Sequence, residues 1–358
     1  MPSMFEGLQL PATFDAHVHL RSGIMMEAVV STIRDGGADM VYVMPNLVPP
    51  ITTVEACLEY RQKLQDLEPN VTFLMSLYLC SALTPNVIVE AKKAGIKGVK
   101  SYPAGVTTNS DSGVLDYKSF YPVLAAMEKE DLLLNLHGEC PSSADVTVLN
   151  AEEAFLPTLG MLHRDFPNLR IVLEHCTTAK AIEAVKSYGP TVSGTITAHH
   201  LSLIVDDWAG DSFNYCKPVA KTPQDRIALL KAAASGDPKF FFGSDSAPHS
   251  TQAKQGSHIS KAAAGIFTQP ICTQLVLDAL EQGCQEGILN EEQLTHKILA
   301  GFLSEHGRHF YQEPMSSSHL ILGAGQNIQI PDLIPVDNRM VAIAPFRKGQ
   351  RTRSLGWL

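Results

Sequence analysis

Residues 14–23 read FDAHVHLRSG, placing His17, His19 and Arg21 two positions apart. If this stretch is extended, all three side chains project to one face. Neutral imidazole suits zinc and its neighbours, so the histidine pair is a candidate half of a metal site. Two incidental histidines near a strand end is the competing reading, and partners elsewhere must decide between them. Such partners exist at the ends of apolar runs: Lys100 in KGVKSYP, His137 in LLLNLHGE, His175 in RIVLEHC and Asp245 in KFFFGSDS. Asn46 follows the run MVYVMP. Taken singly, His137 or His175 reads more readily as a satisfied core histidine. Lys100 is costly at the end of a buried strand unless its charge is removed or paired. A snorkelling ammonium beside a carboxylate is one solution. A neutral amine that takes up carbon dioxide is another, and the resulting carbamate offers two oxygens to two cations.

The elements that must position these groups alternate along the chain. Strand-like runs TFDAHVHL, MVYVMP, VTFLMSLYL, KGVKSYP, LLLNLHGE, RIVLEHC, VSGTIT and KFFFGSDS are separated by helical patterns. These patterns fall near 24–35, 53–67, 85–93, 117–130, 150–165, 178–187 and 223–235, with another at 263–283. Eight strand–helix units imply parallel pairing with right-handed crossovers and a closed (β/α)8 TIM barrel. In that fold the catalytic residues sit where strands give way to the following loops, which is where the candidates fall. Their convergence on one rim favours the metal reading of His17, His19, His137 and His175 over four separate accidents. The barrel is expected over residues 1–322. A C-terminal extension at 323–358, without a clear helical pattern, is expected to pack on it.

Composition sets the class. With 358 residues and 45% hydrophobic content, the chain can bury a large core. No apolar run is long enough to span a bilayer, and the start MPSMFEGLQLP lacks a basic, apolar leader, so a cytoplasmic location is expected. Seven cysteines without a CxxC pair fit reduced thiols. A net charge of −9 disfavours nucleic acid, so an anionic substrate would need a local positive pocket.

DAHVHLRSG, the lysine of KGVKSYPAGVTTNSDSG, LHGE, LEHCTT and GSDSAPH together resemble the amidohydrolase superfamily. MPNLVPPITTVEACLEYRQ and the TTNS loop resemble, more narrowly, its monofunctional dihydroorotases of bacterial and fungal type. The likeness runs from about residue 12 to 270 in matching order. It implies a homodimeric enzyme of de novo pyrimidine biosynthesis that interconverts N-carbamoyl-L-aspartate and L-dihydroorotate. It also implies two zinc ions, one held by His17, His19 and Asp245 and the other by His137 and His175. A carbamylated Lys100 would bridge them. A hydroxide shared by the metals would attack the ring amide, with Asp245 as general base and then general acid. Asp245 could instead cap a helix ahead of SAPH.

The same resemblance assigns the substrate carboxylate to Arg21, Asn46 and His249, and a guanidinium fork suits that task. A surface ion pair, a turn residue and a loop histidine are the respective alternatives. Backbone groups near Lys217 and Ala264 would read the ring, although Lys217 stands where the family pattern has an apolar residue. Residues 103–113, PAGVTTNSDSG, suit an ordinary surface loop by composition. The resemblance makes them a lid that brings Thr107 and Thr108 to the substrate. His199 and His200 are expected to support the site structurally; His163, His258, His296, His306, His309 and His319 have no assigned role. Rival readings are a hydantoinase or allantoinase with the same metal ligands, and a noncatalytic barrel scaffold.

Overall fold

The computed structural model describes residues 4–110, 112–257, 261–337 and 341–358; His258 lies outside the described residues. A short strand, β1 (Gln9–Pro11), precedes the barrel. Eight strands then follow: β2 (Thr13–Val18), β3 (Ala38–Val43), β4 (Thr72–Tyr78), β5 (Gly98–Ser101), β6 (Leu133–His137), β7 (Ile171–Glu174), β8 (Val192–Ile196) and β9 (Phe240–Phe242). They pair in sequence order, each parallel to the next. The last meets the first at the rim, where the Asp245 amide donates to His17 O at 2.8 Å and the His19 amide to Ser246 O at 3.0 Å. The result is a (β/α)8 TIM barrel, nearly closed by backbone pairing.

Barrel strands are covered on both faces, so they read as apolar runs rather than as alternating ones. Every residue of β2, β5, β6, β7, β8 and β9 is buried. Phe14, Tyr42, Leu74, Leu133, Val172 and Phe241 form one buried cluster with Tyr311 of the helix His306–Tyr311. Outside the strands, Val29, Leu64, Ile88, Leu124, Leu159, Ile182 and Leu230 carry the helices onto the sheet. Helix starts are marked by Thr53, Thr84, Thr178 and Thr222, whose hydroxyls accept backbone N–H groups, and by Pro85 and Pro223 at the first turns.

The helical pattern read at 263–283 is realised only from Cys272 to Gln285. Residues ahead of it run along the rim instead: the Ala247 amide donates to Ile266 O at 2.9 Å, and Gly265 has φ of 151°. Burial of Ile266 and Phe267 against neighbouring strands imitates a helical face in the sequence. The tail contains β10 (His319–Gln329), β11 (Ile334–Pro335), β12 (Ala342–Ile343) and β13 (Arg351–Trp357). A three-stranded antiparallel sheet of order β1-β10-β13 joins it to the N-terminal segment, so the tail sheet starts at His319, before residue 323. Among the described residues no helix is long and apolar enough to cross a membrane.

Candidate active site

At the rim, β2 and the turn after β9 bring His17, His19 and Asp245 together. Asp245 Oδ1 lies 3.3 Å from His17 Nε2 and 3.1 Å from His19 Nε2. The three offer ligand atoms within 4.8 Å of one another, all buried. His175 stands beside His17, with ring centroids 5.1 Å apart, and His137 beside His175 at 4.7 Å. Lys100 is fully buried between β4 and β6, and its Nζ has no hydrogen-bond partner. His175 Nδ1 is likewise buried without a hydrogen bond, and His17 Nε2 makes none beyond its 3.3 Å approach to Asp245 Oδ1. Orphaned polar atoms of this kind are rare and call for a missing ion or water. Donor chemistry and geometry therefore fit a metal centre at these residues.

Electrostatics agree with that fit. Burial, with help from Lys100 and neighbouring histidines, holds His17 and His175 well below the usual imidazole range. Both shifts favour the neutral imidazole that a metal ligand needs. Burial also pulls Lys100 down from its ordinary range, against the opposing pull of Glu174 and Asp245. Burial pushes Asp245 up, but the His19 hydrogen bond and the charges of His17, His19 and Lys100 outweigh it, leaving a pKa of about 2.

Several supporting residues had no role in the sequence reading. Glu174, at the end of β7 and fully buried, accepts from His17 Nδ1 at 2.9 Å, Thr195 Oγ1 at 2.6 Å and Asn135 Nδ2 at 2.7 Å. Asn135 is held in turn by Tyr42 and Tyr311 hydroxyls, both at 2.8 Å. Glu139 sits 2.8 Å from His137 Nε2, leaving Nδ1 of that ring available to a metal. Carboxylates in such places fix ring orientation and tautomer. The clue was visible: a glutamate and an asparagine interrupt runs that should be wholly apolar in buried strands.

Arg21 and His249 adjoin one another, Arg21 Nη2 lying 3.1 Å from His249 Nε2 and its Nε donating to Pro248 O at 2.9 Å. Asn46 faces two ways: its Oδ1 lies 2.8 Å from His19 Nδ1, and its Nδ2 donates to Thr108 O at 3.2 Å. Within the 103–113 loop, residues 103–110 lie over this end of the barrel, and Asp111 is outside the described residues. Asn109 Nδ2 donates to Asn46 O at 2.9 Å, Lys217 Nζ to Val106 O at 2.7 Å and Thr108 Oγ1 to Ala264 O at 3.5 Å. Beneath it is a narrow cavity whose walls include His17, Arg21, Asn46, Thr107, Lys217 and Ala264. His249 lies outside that wall, touching Ala264 O at 3.0 Å.

His199, His200 and Cys216 form a second group of close ligand atoms. His200 is already satisfied, by Thr197 and by Pro218 O, both at 2.9 Å. Burial raises the Cys216 thiol pKa, disfavouring the thiolate a metal needs. His163, His296, His306, His309 and His319 are absent from the cavity wall.

Residues 8–279 match the amidohydrolase family. The chain belongs to the amidohydrolase family. A probable dihydroorotase of Schizosaccharomyces pombe is 50% identical over 345 residues, covering 96% of this chain and 97% of its own. The dihydroorotase of Saccharomyces cerevisiae is 47% identical over 374 residues, covering 99% and 98%. A crystal structure of the Saccharomyces cerevisiae dihydroorotase in complex with 5-fluoroorotic acid superposes with a TM-score of 0.90 at 46% identity, covering 98% of this chain and 99% of that one. This amidohydrolase thus has dihydroorotases as its full-length relatives.

Proposed function

We propose that the chain is a dihydroorotase, interconverting N-carbamoyl-L-aspartate and L-dihydroorotate with two zinc ions. His17, His19 and Asp245 would hold one ion, His137 and His175 the other, with Lys100 between them as N6-carboxylysine. The observation that carries this reading is the convergence of four histidines, an unpartnered buried lysine and Asp245 beside the Arg21 guanidinium. Bound zinc would supply Lewis acidity to a carbonyl and lower the pKa of a water.

The chain's own residues do the rest. Arg21 meets the substrate carboxylate as a charge-assisted donor on the wall of an otherwise acidic protein. Asp245, whose carboxyl is held below the usual range by its neighbours, can accept the proton of the attacking water as the amide carbon becomes tetrahedral and return it to the nitrogen as the C–N bond breaks. Asn46 orients His19 through one side-chain atom and touches the loop through the other, linking ring orientation to closure. The lid residues Thr107 and Thr108 and the segments around Lys217 and Ala264 enclose the ring and exclude water.

Purified protein should contain two zinc ions per chain and hydrolyse dihydroorotate, while leaving hydantoin, a cyclic amide without the carboxylate, almost untouched. Equal turnover of both rings would move the chain to the hydantoinase reading. Full zinc loading without turnover of either ring would leave it a scaffold.

A further inference from the structure

Among the described residues, a buried cation near the cavity is left without a task by the site described above. Lys254, on the short helix Thr251–Gln255, is only 4% exposed. Its Nζ donates to Tyr215 O at 2.7 Å, Ala263 O at 3.0 Å and Gly265 O at 2.7 Å. Three carbonyls use the full donor capacity of an ammonium, and all three are uncharged backbone groups. Burying a cation in this way is unfavourable unless the hydrogen bonds compensate.

The carbonyls belong to two segments that wall the cavity. Lys217 closely follows Tyr215, while Ala264 and Gly265 adjoin Ala263, and all three line the space beneath the lid. The segments are tied to each other and to Lys254's own helix: Gly265 N donates to Tyr215 O at 3.1 Å and Ala263 N to Ala253 O at 2.9 Å. Gly265 approaches its neighbours so closely that a Cβ there would come within 2.5 Å of Ala247 O. Both segments also receive the lid, one through Lys217 Nζ and Val106 O, the other through Thr108 Oγ1 and Ala264 O. Whatever sets their spacing sets the width of the cavity and the landing points of the loop.

We propose that Lys254 is a positioning residue whose ammonium clamps the 215–217 and 263–265 backbones at the spacing that receives the substrate ring and the closed lid. The substrate part of this inference rests on the dihydroorotase reading; the clamp itself does not.

Lys254→Met keeps the length and burial of the stem while deleting every donor. In the zinc-loaded enzyme it is expected to accelerate amide hydrogen exchange in 213–218, 261–267 and the 103–113 loop, leaving the barrel strands unchanged. Zinc content should hold, and KM for dihydroorotate should rise by ~tenfold or more with a smaller change in kcat, the loss expected for misplaced ring contacts. Lys254→Arg, which retains charged donors, should recover part of both effects. If Lys254→Met gives no folded protein, Lys254→Gln, with two N–H donors at shorter reach, is measured in the same way. Wild-type exchange and wild-type KM in the Met or Gln variant would overturn the clamp, as would exchange raised uniformly with parallel loss of zinc. If wild-type protein failed to turn over dihydroorotate, the dihydroorotase reading would fall while the exchange data still judged the clamp.

Discussion

Arg21, His175 and Asp245 share a backbone that side chains seldom adopt, with φ of 61°, 41° and 45°. Each is held there by a hydrogen bond at the rim. The Tyr60 hydroxyl donates to Arg21 O at 2.6 Å, His175 N donates to Thr195 Oγ1 at 2.6 Å, and Asp245 N donates to His17 O at 2.8 Å. Three such residues around one cavity mark the place where the fold accepts strain to aim side chains inward. Arg21→Met is expected to leave zinc content intact and weaken dihydroorotate binding by about 2–4 kcal/mol, because a buried carboxylate loses its charged partner. Titration calorimetry on the zinc-loaded variant checks this, and lost zinc would instead make Arg21 structural. Lys100→Ala is expected to abolish nearly all activity and to lower bound zinc below that of wild type, measured by metal analysis. A methyl group cannot separate two cations that repel at short range. Added acetate should restore part of both by returning a carboxylate to the gap; an active, fully loaded Lys100→Ala enzyme would remove the carbamate from the mechanism. At this scale the candidate ligands were legible because strand-end position is a sequence property. Glu174 and Asn135 were not, since their value lies in partners 157 and 93 residues away, His17 and Tyr42.

The 103–113 loop has few apolar anchors and is fixed to the rim by polar contacts from Asn109, Thr108 and Lys217. Composition alone described a surface loop; its partners, distant in sequence, make it a cover. Thr107→Val with Thr108→Val should lower turnover while the melting temperature stays near wild type, because these contacts bear on closure rather than on the core. Unchanged kinetics would make the loop ordinary. The helix Ala151–Asp165 carries a different signature. Glu152 in its first turn is buried and accepts from Thr177 N at 2.8 Å and Thr178 Oγ1 at 2.5 Å. Burial, opposed by Lys221 and by these hydrogen bonds, raises its pKa from 4.5 to about 7. Folded protein then holds this proton more tightly than the unfolded chain does. The associated stability is full below the unfolded value and is lost as pH rises towards the folded one, by up to ~3 kcal/mol. Glu152→Gln should flatten the fall in melting temperature between pH 5 and pH 7. A slope as steep as wild type would place that titration elsewhere. Elements with strong periodicity and caps were readable to within a few residues, whereas 263–268 was misread because a buried rim segment can present the same apolar spacing as a helix.

The molecule closes through its ends. β10 pairs with β1 on one side and β13 on the other, burying Leu10, Leu320 and Leu322 completely. Arg353 of β13 pairs with Asp278 and Glu281 on the helix Cys272–Gln285. The pattern of alternating strand and helix made the barrel legible, but the tail was not, because β10, on which β13 pairs, also pairs with β1, a partner more than three hundred residues earlier. The tail also reaches the rim. Ile343 bridges Ser250, next to His249, and Pro345 bridges Phe267, with Phe346 N donating to Phe267 O at 2.8 Å. Ser250 and Phe267 flank the segment that carries Lys254 and Ala264, so the tail buttresses the substrate wall from outside. Ending the chain after Asp337 removes β12, β13 and the buried Phe346. The truncated enzyme is expected to melt lower by ~10 °C or more, given the apolar area exposed and the stabilisation lost per degree in a domain of this size. It should retain its zinc, because no residue proposed to hold it lies in the tail, yet bind dihydroorotate more weakly as the wall loosens. Scanning calorimetry of both chains, with KM and zinc analysis, separates the possibilities. Two resolved transitions in the full chain, with an unshifted barrel transition and unchanged KM after truncation, would show the tail to be a passive appendage.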